Sequence, residues 1–206
     1  MVKILTSFLN EHLKKRTPKK ITPRSYFYIS EAGRSPFDIY RSMVFPQWYP
    51  PKIRRLLEIG NTTHKRVLRY LKEMGLLEAE GVKVGDDLFH GVVDAVIKLP
   101  DEESMPLEIK TVGWKEFERI LRKGVPSWHS YIQLQLYLHY LNKNKGKLLF
   151  IEANTLEDFM MPLEEYRPEQ RMKEFTIRKN PRVIGETIEK FKKLKEIFVE
   201  GGVMVK

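Results

Sequence analysis

Residues 76–112 constrain this chain more than any other stretch. Two apolar runs, Leu76 to Val84 and Leu88 to Leu99, flank a Gly85-Asp86 turn, and a third, Leu107 to Val112, follows a short acidic loop. Runs of this kind bounded by turn residues read as strands. The second carries Asp94 and the third carries Glu108-Ile109-Lys110. Side chains alternate along a strand, so Glu108 and Lys110 share a face while Ile109 points into the core. If the second and third strands pair as a hairpin, Asp94 reaches that same face. Two carboxylates and an ammonium then converge on one spot. Hard oxygen donors suit Mg²⁺ or Mn²⁺, and the lysine is placed to hold an attacking water. The chemistry expected is that of a metal-dependent phosphodiesterase.

Around this block the periodicity is mostly helical. Apolar residues at Ile4, Leu5, Phe8, Leu9 and Leu13 predict an amphipathic helix over 2–16, followed by a linker from Thr17 to Arg24. Ser25 to Ile29 reads as extended. Ser30 and Ser35-Pro36 both read as helix starts, the second with proline at the first helical position. Pro46 to Pro51 is a stiff loop, and Lys52 to Met74 a long helix stopped by Gly75. Beyond the third strand, helices are expected over Trp114 to Lys123 and His129 to Asn142, a strand over Lys147 to Ala153, and a last helix from Pro181 to about Val199. Residues 155–180 are ambiguous, with a short strand expected at Phe175 to Ile177. The fold class is therefore α/β (mixed α+β), a central mixed sheet flanked by helices.

At 206 residues and 42% hydrophobic composition, one domain is the expectation. Its portions would be a basic helical part (1–75), a core of sheet and helix (76–153) and a C-terminal extension (154–206). No cysteine is present, which excludes disulfides, thiolate zinc sites, Cys-ligated iron–sulfur clusters and Cys nucleophiles. No apolar run approaches a membrane span, and charged residues interrupt any signal-peptide pattern between Val2 and Leu13, so no membrane association and a cytoplasmic location are expected. The net charge of +10 is segregated: residues 1–72 hold 16 Lys/Arg against 4 Asp/Glu, and the remainder 21 against 23. A one-sided basic field favours a polyanion such as nucleic acid over a small substrate. Arg34, Arg54, Arg55 and Lys65 are candidate DNA contacts. Tyr26, Phe27, Tyr28, Trp48 and Tyr49 are candidates for stacking on the bases of a single strand.

Taken singly, the site residues have plainer readings. His64 suits the polar side of an amphipathic helix, Glu108 and Lys110 an exposed strand face, Gln133 a helix surface and Tyr137 the core. In combination, His64 on a helix after Gly60, then Asp94, then Glu108-Ile109-Lys110, then Gln133-Leu-Gln-Leu-Tyr137 resembles the PD-(D/E)xK nucleases. The likeness is strongest to the RecB-like branch, which includes the CRISPR-associated exonucleases, and it spans roughly Ser30 to Asn142.

The resemblance implies a restriction-endonuclease-like core and hydrolysis of DNA with Mg²⁺ or Mn²⁺. It implies metal ligation by Asp94, Glu108, the Ile109 carbonyl and His64, with Lys110 activating water. Gln133 and Tyr137, one helical turn apart, would orient the lysine or the phosphate; Tyr137 would also touch DNA. Many relatives carry an iron–sulfur cluster held by four cysteines, one of them in a Cys-Pro step. Here that step is Ser35-Pro36, so the cluster is expected to be absent and its tethering role to pass to Phe191, Leu194, Ile197 and Phe198. The leading expectation is an exonuclease on single strands or DNA ends, serving repair, recombination or viral replication with partner proteins from those processes. Two alternatives stand beside it: a structure-selective endonuclease of junction-resolvase type, and a non-catalytic DNA-binding module that docks a helicase or integrase.

Overall fold

The computed structural model describes residues 23–45, 49–152 and 171–205. The helix expected over 2–16, Trp48 and most of the ambiguous stretch 155–180 lie outside those residues. Among them are six strands and five α-helices. The strands are β1 (Phe27–Tyr28), β2 (Leu77–Gly85), β3 (Phe89–Ile97), β4 (Met105–Val112), β5 (Lys145–Glu152) and β6 (Met172–Arg178). The helices are α1 (Pro36–Val44), α2 (Pro51–Glu73), α3 (Trp114–Lys123), α4 (Trp128–Tyr140) and α5 (Pro181–Glu200). No described helix is long and apolar enough to cross a membrane.

Local chemistry sets these boundaries. Ser35 caps α1 by accepting the Asp38 amide at 3.1 Å, with Pro36 at the first helical position. Asn180 and Ser127 cap α5 and α4 in the same way, accepting the amides of Val183 and Ser130 at 3.2 Å. Gly75 ends α2 at φ +70°, a conformation that a side chain disfavours. Asp86 builds the β2–β3 turn: its Oδ1 accepts the amides of Leu88 and Phe89 at 2.8 and 2.9 Å. The acidity of this turn is structural, as its composition suggests.

The sheet order is β1-β3-β4-β5-β6, with β2 on the other edge of β3. β3 runs antiparallel to β2 and β4, β4 parallel to β5, and β5 antiparallel to β6. The expected mixed sheet with flanking helices is therefore present. β1 runs parallel to β3 at Phe89 and His90, whereas β4 pairs with β3 only at Ala95–Ile97. Both use the edge of β3 that β2 leaves free, so residues 91–94 face no strand on that edge. Asp94 lies in this gap.

Each face of the sheet has its own layer. Val67, Leu68 and Leu71 of α2 pack with Ala95, Leu107, Ile109 and Ile151. Helix α4 packs on the opposite face, where Leu134, Leu136 and Tyr137 join Leu148 and Phe150. The C-terminal helix reaches the N-terminal segment by ring packing: Phe191 and Phe198 stand 4.9 and 5.9 Å from Phe27. Each fully buried aromatic of this kind is worth about 1.5–3 kcal/mol.

Two expectations change. Ile197 is 61% exposed, because Phe191, Leu194 and Phe198 form one stripe at helical spacing and Ile197 falls beside it. Ser30 begins no α-helix; it lies in a single 3₁₀ turn, Ile29–Glu31, whose Glu31 folds back to accept the Tyr28 amide at 2.9 Å and to pair with Arg24 at 2.7 Å.

Candidate active site

Asp94 and Glu108 stand on one face because of register. Ala95 pairs with Leu107, so the next residues along each strand, Asp94 and Glu108, oppose each other where the ladder ends. Asp94 takes over from the ladder: its Oδ2 accepts the Ile109 amide at 2.7 Å. The N–H and C=O of one strand residue point the same way, so the Ile109 carbonyl also faces this gap.

Glu108 is 3% exposed. Its Oε1 accepts from Lys110 Nζ at 2.7 Å and from Gln133 Nε2 at 2.8 Å. Gln133 Oε1 in turn accepts from Lys110 Nζ at 2.8 Å. Gln133 Nε2 also lies 3.1 Å from the Tyr137 hydroxyl, and that hydroxyl donates to the Val92 carbonyl at 2.8 Å. The net thus ends on the backbone of β3, within the stretch that faces no strand. Gly91 makes room for it, since a Cβ there would sit 2.8 Å from Ile29 Cδ1 and 3.0 Å from Tyr137 Cε1.

Burial governs the protonation of this cluster. Desolvation raises Asp94 to about 6 and Glu108 to about 7, against the opposing pull of the Ile109 amide on Asp94 and of Lys110 on both. Tyr137 is pushed upward by burial and by Glu108, which keeps its hydroxyl a donor. His64, on α2, stands with Nε2 3.6 Å from Asp94 Oδ1, beyond a direct hydrogen bond. Burial lowers its pKa, which favours the neutral imidazole that ligates metals. Gly60, one turn earlier, lies beside Thr111, where a Cβ would make an ordinary contact at 3.8 Å. His64 and Gln133 thus come from helices on opposite faces of the sheet and meet where β3 and β4 separate.

Among the described residues, no three His, Asp or Glu side chains form a ready-made metal cage. The donor set nevertheless fits a hard divalent ion. It offers two carboxylates, the gap-facing Ile109 carbonyl and a neutral imidazole, and Glu108 Oε2 is buried with no partner. An orphaned carboxylate oxygen costs about 1–3 kcal/mol, a penalty that a cation removes.

The candidate DNA contacts are more scattered. Arg34 and Lys65 are exposed, Lys65 next to His64. Arg54 donates to the Tyr49 carbonyl at 2.8 Å and lies ten residues before His64 on α2, about 15 Å away along the helix. The Arg55 side chain is outside the described residues. Phe27 is fully buried and offers no face for stacking, because it anchors α5.

Two further residues bear on the site and its surroundings: His129, which its place one turn before Gln133 marks as a phosphate contact, a helix cap or a surface residue, and Gln135, which the sequence does not single out. His129 lies close enough to Lys110 and Arg34 that both lower its pKa, after burial. Gln135, 1% exposed, donates to the Arg178 carbonyl at 2.8 Å and accepts the Asn180 amide at 2.7 Å. It ties the start of α5 to α4. Of the two glutamines in the Gln133-Leu-Gln-Leu-Tyr137 run, one therefore serves the site and the other the fold.

No family model matches the chain. The CRISPR-associated exonuclease Cas4 of Saccharolobus solfataricus is 26% identical over 176 residues, covering 79% of this chain and 79% of its own. A crystallised alkaline exonuclease of Laribacter hongkongensis superposes with a TM-score of 0.59 at 13% identity, over 87% of this chain and 90% of its own. A phage-related exonuclease of Haemophilus somnus gives 0.57 at 14% identity, over 85% and 96%. The chain has the restriction-endonuclease-like fold of these exonucleases. The likeness to the PD-(D/E)xK nucleases and their RecB-like branch, read from the sequence motifs, is borne out by these relatives.

Proposed function

We propose that this chain is a divalent-metal-dependent deoxyribonuclease that acts as an exonuclease on single-stranded DNA or DNA ends. The observation that carries the reading is the convergence, at the separation of β3 and β4, of two desolvated carboxylates and a lysine held by a buried glutamine. The names of the relatives support it, since the three compared above are exonucleases, and the Laribacter enzyme was also crystallised with dAMP.

Asp94, Glu108, the Ile109 carbonyl and His64 would hold Mg²⁺ or Mn²⁺. When bound, such an ion supplies positive charge to the scissile phosphate and to the water that attacks it. Lys110 positions that water and shares in its deprotonation. Gln133 fixes the Lys110 ammonium, and Tyr137 fixes Gln133 through the Val92 carbonyl. Exposed cations such as Arg34 and Lys65 would hold the DNA backbone. Repair, recombination and viral replication are the processes that supply such ends.

End-labelled linear DNA and circular DNA, incubated with wild type and Asp94→Ala in Mn²⁺, Mg²⁺ and EDTA, test this. Metal-dependent loss of linear DNA with circles intact, abolished by the substitution, is the expected result. Cutting of circles would make the chain an endonuclease. DNA binding without cleavage would make it a docking module.

A further inference from the structure

A groove of about 1130 Å³ adjoins the Glu108–Lys110–Gln133 net, and its lining includes Gln133 and Tyr137 together with Tyr28, His90 and Lys83. The β1–β3 register sets Tyr28 directly beside His90. Tyr26 lies face to face with His90 at 3.7 Å and edge-on to Tyr28 at 5.6 Å. The Arg24 guanidinium sits 4.3 Å over the Tyr28 ring and is anchored by Glu31. Packed rings of this kind are ordinarily buried, yet Tyr28 is 46% exposed and His90 is exposed as well. His90 is four residues from Asp94, about 13 Å along an extended strand. At the spacing of stacked nucleotides that is a span of about four.

We propose that Tyr28 and His90 form a stacking subsite for unpaired nucleobases of the DNA strand, a few nucleotides from the scissile phosphate. The proposal rests on the nuclease reading above and adds the strand's path and its single-strand preference. Exposed, pre-packed rings accept the face of any base, and bases within a duplex have no free face to offer. The two acids of the turn, Asp86 and Asp87, also line the groove. They outnumber Lys83 in the lining, which disfavours phosphate and leaves base faces as the matching chemistry. The same chemistry is offered by a tract of unpaired strand and by a released mononucleotide.

The test uses the full chain in EDTA, where cleavage is suppressed. Wild type, His90→Ala, Tyr28→Phe and the double variant Tyr28→Ala/His90→Ala are titrated with labelled oligo-dT and with an abasic strand of equal length. Stacking predicts a loss of about tenfold per base for the double variant on oligo-dT, none on the abasic strand, and an unchanged salt slope. Tyr28→Phe keeps its ring and should bind as wild type; His90→Ala, at an exposed position, should show part of the loss with unchanged circular dichroism. Equal weakening on both strands, or none on either, overturns the subsite. In a parallel titration, dAMP binding that the double variant also loses shows that the rings hold released nucleotide as well; dAMP binding that it keeps assigns them to the unpaired strand alone. If wild type cleaves DNA with metal while the double variant binds oligo-dT normally, only the subsite fails. If wild type neither binds nor cleaves DNA, the nuclease reading itself fails.

Discussion

Toward α4, Lys110 meets Gln133 at 2.8 Å, and the same glutamine meets Glu108 and Tyr137 at 2.8 and 3.1 Å; toward α2, the nearest pair is His64 and Asp94 at 3.6 Å. On the first side each polar group has a partner of good geometry, and the chain of bonds runs into the backbone at Val92. Outside that net, Glu108 Oε2 is buried and orphaned, and Asp94 and Glu108 are held well above their ordinary range. The α4 side is complete within the protein, whereas the carboxylate side would gain stability from a cation. On the proposed function, positioning of the lysine and capture of the metal would fall to different helices, and substitutions should separate them.

The largest effect is expected at the lysine that the α4 side holds. Lys110→Ala should lower cleavage about 10²- to 10⁴-fold while Mn²⁺ binding is largely retained. Calorimetry with Mn²⁺ beside a gel assay checks it. Retained cleavage would remove Lys110 from the mechanism and dissolve the division drawn above.

The α4 side is broken selectively at Gln133. Gln133→Ala leaves Lys110 free to rotate and deprives Glu108 of a donor, so kcat should fall about 10- to 100-fold with little change in KM. Tyr137→Phe, which removes only the hydroxyl between Gln133 and Val92, should cost less in the same direction. Steady-state kinetics on single-stranded DNA decide this. A change confined to KM would mean that Gln133 binds substrate and does not position the lysine.

What was legible in the sequence follows the range of the forces involved. Asp94, Glu108 and Lys110 sit on strands whose alternation is local, and Gln133 and Tyr137 are one turn apart, so spacing alone put them on shared faces. Helix starts at Ser35-Pro36 and Pro181 and the Asp86 turn were equally local. β1 was less so: a strand of two residues, Phe27–Tyr28, carries no periodicity, and its parallel pairing with β3 joins segments some sixty residues apart. The uncovered stretch 91–94 depends on that pairing and could not be read either. Gln135 was not singled out by spacing: two residues from Gln133 on a helix, it faces another way, toward Arg178 and Asn180. Phe27 looked available for stacking until the docking of α5 consumed its ring.

The α2 side is probed by metal and pH. His64→Ala should weaken Mn²⁺ binding about tenfold and narrow the preference for Mn²⁺ over Mg²⁺, since an imidazole favours the softer ion. In metal-free protein the folded-state pKa values of Asp94 and Glu108 lie above their ordinary ones, at about 6 and about 7. Their favourable contribution to stability is therefore fully present below the ordinary carboxylate range and is lost as pH rises from there through about 7. A cation must displace the same protons, so Mn²⁺ affinity should climb from about pH 6 to about 7 and level off above. Calorimetry in buffers of different ionisation enthalpy would register the released protons, and thermal unfolding in EDTA the stability trend. Affinity that does not vary over this interval would mean that the two acids are already ionised before the metal arrives.

The smallest effect concerns what surrounds both sides equally. Arg34 and Lys65 are exposed, one before α1 near His129 and the other on α2 beside His64. If each neutralises one phosphate, replacing either by Ala should flatten the slope of log affinity against log salt by about 0.7 on a single strand. Because they flank opposite sides of Lys110, the two losses should add, and neither should alter kcat at saturating DNA. Titrations of labelled single strands across a salt series, in EDTA, read both slopes. A flattened slope for Arg34 alone would route the strand over the α4 side, toward the groove that holds Tyr28 and His90; one for Lys65 alone would route it across α2. The salt series thereby turns the asymmetry of the site into a direction for the bound DNA.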